Sequence, residues 1–129
     1  MRKYLLDTHI LIWALLDSPL LSKTARSVLT ASGNQFFFSA ASIWEIALKH
    51  GKHPSDIPCT PVEAKLFAEE SGFRALSVTP AHAMGVCSLP DIHGDPFDRL
   101  LISQARSESM TLVSHDENVV RYGADILAV

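Results

Sequence analysis

At 129 residues the sequence is long enough for one domain with a shared hydrophobic core, and we treat residues 1–129 as a single domain. Its 47% of hydrophobic and 19% of charged residues are typical of a globular protein and exclude a disordered chain. The formal net charge of −3 excludes the strongly basic surface that many nucleic-acid-binding proteins carry, so any such function must depend on a local site.

Short apolar runs alternate with helical patterns along the whole chain. The first elements are a strand at 4–6, helices at 10–16 and 22–31, a strand at 36–38, and a helix that Ser39 or Ser42 caps and that ends near Gly51. The later elements are a helix at 60–71, a strand at 75–78, helices from Thr79-Pro80 and Asp95-Pro96, a strand at 111–113 and an optional fifth strand at 126–129. This alternation predicts an α/β fold: a three-layer α/β/α domain around a parallel sheet of four or five strands.

Neither the cysteines nor the amino-terminal segment indicates an extracellular or membrane protein. Cys59 and Cys87 lack a metal-ligand spacing, and we interpret them as reduced thiols. The longest early apolar run, 10–16, is too short to cross a bilayer. We therefore expect a cytoplasmic protein without membrane association.

Four acidic residues are predicted at one edge of the sheet. Asp7 follows the first strand, Asp116 lies just beyond the fourth, and Glu45 and Asp98 fall early in predicted helices. Ligands of open parallel sheets bind at the carboxyl ends of the strands, where the strand order reverses. Asp7 stands between apolar neighbours that require burial, and an unpaired buried carboxylate is costly, so we expect it to need a cation.

Each of these acids also has an ordinary structural interpretation. Glu45 could complete a capping box or pair with Lys49, Asp98 could be a first-turn acid that the helix dipole favours, and Asp116 could cap a short helix. Asp95, directly before a proline, fits a helix cap better than a metal ligand.

A cluster of four carboxylates supports a particular chemistry. Like charges about 4 Å apart repel by about 4 kcal/mol at an effective dielectric constant near 20, and divalent cations offset this cost. Mg²⁺ or Mn²⁺ held by oxygen ligands activates water for attack on phosphate esters. Thr8 and Ser114, which flank the acids, would then orient the carboxylates by hydrogen bonding, or could be turn residues. Asp95 is a further candidate for a place around the site. The sequence lacks the acidic pair of response-regulator receivers, the Asp-x-Asp of aspartyl phosphatases and a glycine-rich phosphate loop.

Four segments, in this order and spacing, resemble the motifs of PIN-domain ribonucleases. They are Leu5-Leu6-Asp7-Thr8-His9, Ser42-Ile43-Trp44-Glu45-Ile46-Ala47, the stretch from His93-Gly94-Asp95-Pro96-Phe97-Asp98-Arg99 to Gln104-Ala105, and Leu112-Val113-Ser114-His115-Asp116 leading to Tyr122-Gly123. The sequence is most similar to the virulence-associated protein C (VapC) branch, the toxin half of bacterial toxin–antitoxin pairs.

This resemblance implies a Mg²⁺- or Mn²⁺-dependent endoribonuclease that forms a homodimer and is silenced by a small antitoxin protein. The acidic residues of the family carry over onto Asp7, Glu45, Asp98 and Asp116; we favour Asp116 over Glu117 because it lies nearer the strand end. Two alternatives stay open at this point. One is a non-catalytic PIN-like module that binds RNA or protein, and the other is a metal-dependent phosphatase.

Other residues are candidates for contacts with RNA or with a partner. Basic side chains near two of the acids could contact phosphates, although basic residues also complement a helix carboxyl terminus. They are Lys49, His50, Lys52, His53 and Arg99. Trp13 and Trp44 could offer apolar surface to an antitoxin helix, or could be part of the core.

Overall fold

The computed structural model describes residues 2–129, which contain one five-stranded sheet. All of its strand pairs are parallel, and their spatial order is β3-β2-β1-β4-β5. The strands are β1 (Lys3–Leu6), β2 (Gln35–Ser39), β3 (Arg74–Leu76), β4 (Thr111–Ser114) and β5 (Ile126–Ala128). The predicted parallel α/β fold is confirmed, with the fifth strand present at the sheet edge.

Helices connect the strands and cover both faces of the sheet. They are α1 (Thr8–Leu15), α2 (Lys23–Thr30), α3 (Ala40–Lys52), α4 (Pro61–Glu70), α5 (Pro80–Gly85), α6 (Pro96–Ser107) and α7 (Glu117–Val120), with a 3-10 turn at Val86–Ser88. Neighbouring residues of β1 point to opposite faces. Leu6 packs in one buried cluster with residues of α1–α4, and Leu5 packs in the other with residues of α6 and α7. The three predicted layers follow from this division.

Three predicted boundaries or caps differ from the observed ones, and side-chain hydrogen bonds accompany each difference. Helix α1 begins at Thr8, before the predicted 10, because the Asp7 carboxylate caps it by accepting from the Ile10 backbone. Strand β3 ends at Leu76, before the predicted 78, and the carbonyl of Ser77 accepts from the Gln104 side chain. Ser39 caps α3, so the alternative cap is wrong: Ser42 accepts a hydrogen bond from Thr8 instead.

A hydrogen-bonded network around the buried His82 fixes α5, α6 and the start of α3 relative to one another. Nδ1 of His82 accepts from the Thr79 backbone at 3.1 Å and lies 3.3 Å from Gln104 Nε2, while its Nε2 lies 2.9 Å from Glu108 Oε2. The Ser39 hydroxyl, which caps α3, donates to Gln104 Oε1 at 2.6 Å. We name these five residues the histidine network.

The strand order places the reversal point of the sheet at its centre. The chain moves outward from β1 through β2 to β3 and then crosses back to β4 on the other side of β1. The carboxyl ends of β1 and β4 are therefore adjacent, and ligand sites of parallel sheets form at such points. Among residues 2–129, no helix combines the length and apolar character that crossing a membrane requires.

Candidate active site

Asp7 lies at the carboxyl end of the central strand and is only 4% exposed. Its Oδ1 accepts from the Ile10 backbone at 2.9 Å, and its Oδ2 accepts from the Ser114 hydroxyl at 2.5 Å. Burial raises the pKa of Asp7 from 3.8 to about 6; the two hydrogen bonds oppose the rise, and the charges of Glu45 and Asp116 add to it.

Ser114 connects Asp7 with Asp116 at the ends of neighbouring strands. The backbone N–H of Asp116 donates to the Ser114 oxygen at 3.1 Å, while the hydroxyl of that serine donates to Asp7. Asp116 caps the short helix α7 by accepting from the Asn118 backbone at 2.8 Å, and its side chain is exposed. The predicted hydrogen bond from Ser114 to an acidic residue is therefore present, and Asp116 is reachable from solvent.

Glu45 reaches the same region from α3 and is 3% exposed. Its Oε2 accepts from the Lys49 ammonium at 2.5 Å, which is the i,i+4 pair that the sequence offered as an alternative. Its Oε1 is buried and has no hydrogen-bond partner among residues 2–129. A buried oxygen without a partner costs about 1–3 kcal/mol, and more when the group is charged, so Glu45 Oε1 is a candidate ligand atom for a cation.

Asp98 lies in the first turn of α6, which Asp95 caps by accepting from the Asp98 backbone at 3.0 Å. The pKa of Asp98 is raised from 3.8 to about 6, mainly by burial and next by the charge of Asp95. The hydrogen bond with His93 opposes this rise, whereas Asp7 and Glu45 add to it. Asp98 is thus close enough to the other two buried acids to be affected by their charges.

His93 was not among the site residues predicted from the sequence. Its Nε2 lies 2.9 Å from Asp98 Oδ2, and one ligand atom each from His93, Asp98 and Asp116 lie within 4.8 Å of one another. The Tyr122 hydroxyl accepts from the His93 backbone at 2.9 Å and holds its loop in place. His93 begins the third of the PIN-like segments, five residues before Asp98. This spacing is the feature of the sequence that points to a place for His93 in the site.

Three other candidates have mainly structural contacts. Thr8 donates to Ser42 at 2.9 Å rather than to a carboxylate. Asp95 caps α6, as its position before proline indicated. Arg99 donates to the Val86 and Pro90 carbonyls and to the Tyr122 hydroxyl, so its guanidinium braces the loop that carries His93.

The four predicted acids and His93 together form what we call the acidic centre. Its donors are mainly carboxylate oxygens with one imidazole nitrogen, a set that suits Mg²⁺ or Mn²⁺. The partnerless oxygen of Glu45 and the raised pKa values of Asp7 and Asp98 are the features that a divalent cation would relieve. The residues present therefore fit such a cation. Burial raises the pKa values of Asp7 and Asp98 more than the repulsion between the acids does.

Comparisons with known proteins identify the family and the fold. The sequence matches the family described as PIN domain over residues 4–125. No curated protein sequence matches the chain significantly.

Several solved structures share the fold over nearly their whole length. One is VapBC2 from Rickettsia felis bound to a DNA fragment from its promoter, with a TM-score of 0.69, 17% identity, and coverage of 98% of this chain and 97% of that chain. DNA-bound VapBC from Salmonella typhimurium has a TM-score of 0.67 and 19% identity, with 99% and 98% covered. The sarcin-ricin loop-cleaving toxin VapC20 of Mycobacterium tuberculosis has a TM-score of 0.62 and 15% identity, with 93% and 95% covered.

Proposed function

The chain belongs to the PIN domain family, and from this premise we propose that it is a metal-dependent endoribonuclease, the toxin of a bacterial toxin–antitoxin pair in the cytoplasm. The observation that carries the proposal is the buried Glu45 oxygen without a hydrogen-bond partner, placed among other acids at the reversal point of the sheet. A stable fold alone gives no reason to bury such a group.

In this proposal Asp7, Glu45, Asp98 and Asp116 hold Mg²⁺ or Mn²⁺. A bound divalent cation supplies Lewis acidity, which stabilises charge on a phosphodiester and activates water. Ser114 holds the Asp7 carboxylate in one orientation, and His93 does the same for Asp98.

Lys49 has a separate role in this arrangement. Its ammonium on Glu45 offsets part of the negative charge of the acidic centre, and Glu45, Asp95 and Asp98 raise the pKa of Lys49 against the effect of its burial. A lysine held there can also contact an RNA phosphate, as expected from the sequence. The RNA substrate itself is proposed from the family and from the printed description of VapC20 as a toxin that cleaves the sarcin-ricin loop.

An antitoxin needs a surface near the acidic centre, and an apolar groove between α3 and α6 offers one. The groove encloses about 520 Å³ and includes Trp44, Leu48, Phe97 and Leu100. Trp44 is 59% exposed and packs edge-on against Phe97 with ring centroids 5.0 Å apart. We propose that an apolar helix of the antitoxin occupies this groove. The toxin–antitoxin complexes among the structural relatives support an antitoxin partner, and the exposed apolar lining supports this groove as its place. Trp13, in contrast, is partly buried against the core.

The nuclease proposal is tested by incubating the purified protein with single-stranded RNA and, in parallel, with a phosphomonoester. We expect RNA cleavage within the chain in Mg²⁺ or Mn²⁺, none in EDTA, and no hydrolysis of the phosphomonoester. Hydrolysis of the phosphomonoester alone would replace the nuclease with a phosphatase. RNA binding without cleavage in any cation would indicate a non-catalytic module.

The partner proposal is tested by co-expression with the product of the neighbouring gene. We expect the two proteins to co-purify and Trp44→Ala to weaken the complex by about 2 kcal/mol, as for an interface hot spot. Leu66→Ala, at an exposed apolar position of α4 outside the groove, is the matched control and should change little. Sedimentation of the toxin alone tests the expected homodimer. If the two gene products never associate, the antitoxin proposal fails and the nuclease proposal remains.

A further inference from the structure

A second cavity, of about 350 Å³, lies beside the acidic centre between α1 and the carboxyl end of α3. Two of its lining residues connect it to that centre. His9 follows Asp7 by two positions in the chain, and Lys49 contacts Glu45 through its ammonium. A group held in this cavity is therefore next to the proposed site of cleavage.

One wall of the cavity is aromatic. The indole of Trp13 lies 5.8 Å from the His9 ring and 5.7 Å from the His115 ring, measured between centroids. The two histidines are exposed, and Nδ1 of His115 lies 2.5 Å from the Val129 carbonyl, so its ring is held in place. Together these rings fix the orientation of the indole at the cavity.

The rest of the cavity combines an apolar floor with a polar rim. The buried side chains of Ile12 and Ile57 form the floor. Lys49 and His53 provide basic groups at the rim, and Asp56 provides a hydrogen-bond acceptor. The loop that carries Asp56 is closed by backbone hydrogen bonds from Asp56 and Ile57 to the His53 carbonyl at 3.0 and 3.4 Å.

We propose that this cavity binds an unpaired nucleobase of the RNA substrate, stacked on Trp13; this inference rests on the proposed function. A base has two apolar faces and a polar edge, which match the indole, the isoleucine floor and the Asp56 acceptor. The basic rim suits the phosphate attached to that base. Single-stranded or looped RNA is thereby the substrate class, because paired bases cannot enter a side cavity.

The two tryptophans of the chain allow a direct test by fluorescence. The Trp44→Phe protein keeps Trp13 as its only tryptophan, and the Trp13→Phe protein keeps Trp44. Each protein is titrated in EDTA, so that no RNA is cleaved, with oligo(A) RNA and with an abasic oligonucleotide of equal length and charge. We expect oligo(A) to quench Trp13 and not Trp44, and the abasic oligonucleotide to quench neither.

Affinity measurements on folded variants complete the test. His9→Ala and His115→Ala replace exposed rings, and each should weaken oligo(A) binding by about 10-fold while leaving abasic binding unchanged. Equal quenching by both oligonucleotides, or a response confined to Trp44, would overturn the base site. Cleavage by wild type in Mn²⁺ is measured alongside. If RNA is cleaved but Trp13 is not quenched, the proposed base site is wrong and the proposed nuclease function remains. If Trp13 is quenched but no RNA is cleaved, the nuclease proposal is wrong and the base site remains.

Discussion

Helix α6 contributes to two buried polar groups of opposite character. Near its amino terminus Asp98 belongs to the acidic centre, and further along Gln104 belongs to the histidine network. In the histidine network, hydrogen bonds join residues of β2, α5 and α6, and the buried side-chain atoms have partners. In the acidic centre, several carboxylates converge, and Glu45 keeps a buried oxygen without a partner.

The difference shows how one helix can serve both stability and binding. Buried polar groups that satisfy one another hold structural elements in fixed positions. Buried acids that lack partners cost stability, and under the proposed function a bound cation supplies the missing interaction. We therefore expect substitutions in the histidine network to lower the free energy of unfolding and substitutions in the acidic centre to lower function instead.

The largest expected effect is a loss of RNA cleavage when a residue of the acidic centre is substituted. Asp98→Asn keeps the shape of the side chain but removes the charge from a proposed metal ligand. We expect RNA cleavage to fall by at least about 100-fold, because even outer partners of metal ligands are worth 10- to 100-fold. Circular dichroism should show an unchanged fold. Cleavage by Asp98→Asn at the wild-type rate would remove Asp98 from the site.

Stabilisation by a divalent cation should depend on the acidic centre and not on the histidine network. Mn²⁺ at 100 times its dissociation constant should stabilise the wild type by about 2.7 kcal/mol relative to EDTA, as measured by chemical unfolding. Asp7→Asn should lose most of this gain. Glu108→Gln, which changes a carboxylate of the histidine network, is the control and should keep the gain. Equal responses from both variants would contradict the comparison.

Removing the His82 imidazole, at the centre of the histidine network, should lower the stability of the fold. His82→Ala removes the partner of Thr79, Gln104 and Glu108 and leaves a cavity at a 1% exposed position. We expect a loss of about 2 kcal/mol in the free energy of unfolding. His53→Ala, at an exposed histidine, should stay within about 0.5 kcal/mol of wild type. Similar unfolding curves for the two variants would show that the histidine network is not stabilising.

The smallest effect is a gain in stability. In EDTA at neutral pH, Asp7→Asn should raise the free energy of unfolding by about 1 kcal/mol, because asparagine still caps α1 and no longer buries a charge. Most substitutions at buried positions destabilise a protein, so the sign is diagnostic. A lower melting temperature for Asp7→Asn would identify Asp7 as a purely structural cap.

The pH dependence gives a second measurement on the same variant. The folded-state pKa values of Asp7 and Asp98 are raised from 3.8 to about 6, so these groups stabilise the metal-free fold below about pH 4. This contribution is lost as the pH rises from about 4 through 6. Asp7→Asn should show a shallower loss than wild type across that window. Parallel curves would contradict the raised pKa of Asp7.

The sequence predicted those features that depend on local chemistry. Asp7 directly follows a short apolar run, and Thr60-Pro61 and Thr79-Pro80 begin helices as expected because side-chain caps and proline act within one turn. The position of Ser114 beside the acids predicted a hydrogen bond to a carboxylate, and the structure shows that its partner is Asp7. The roles of the four acids in metal binding stay predictions.

Features that depend on distant contacts could not be predicted in this way. His93 lies at the acidic centre because Tyr122, 29 residues away, and Arg99 fix its loop. The end of β3 depends on the Gln104 side chain, 27 residues from Ser77. Glu45 illustrates both cases: its pairing with Lys49 is local, but the isolation of its second oxygen results from the packing of other elements around it.

The central place of β1 has a consequence for the order of events during synthesis. Asp7 and β1 are synthesised before the rest of the sheet, and β1 gains its neighbour β4 only after residues 111–114 have been made. Ser114 and Asp116, which complete the surroundings of Asp7, come later still than Glu45 and Asp98. A nascent chain therefore cannot assemble the acidic centre before residue 116 has been translated. Under the proposed ribonuclease function, this delay keeps the growing chain inactive beside the message and ribosome that produce it.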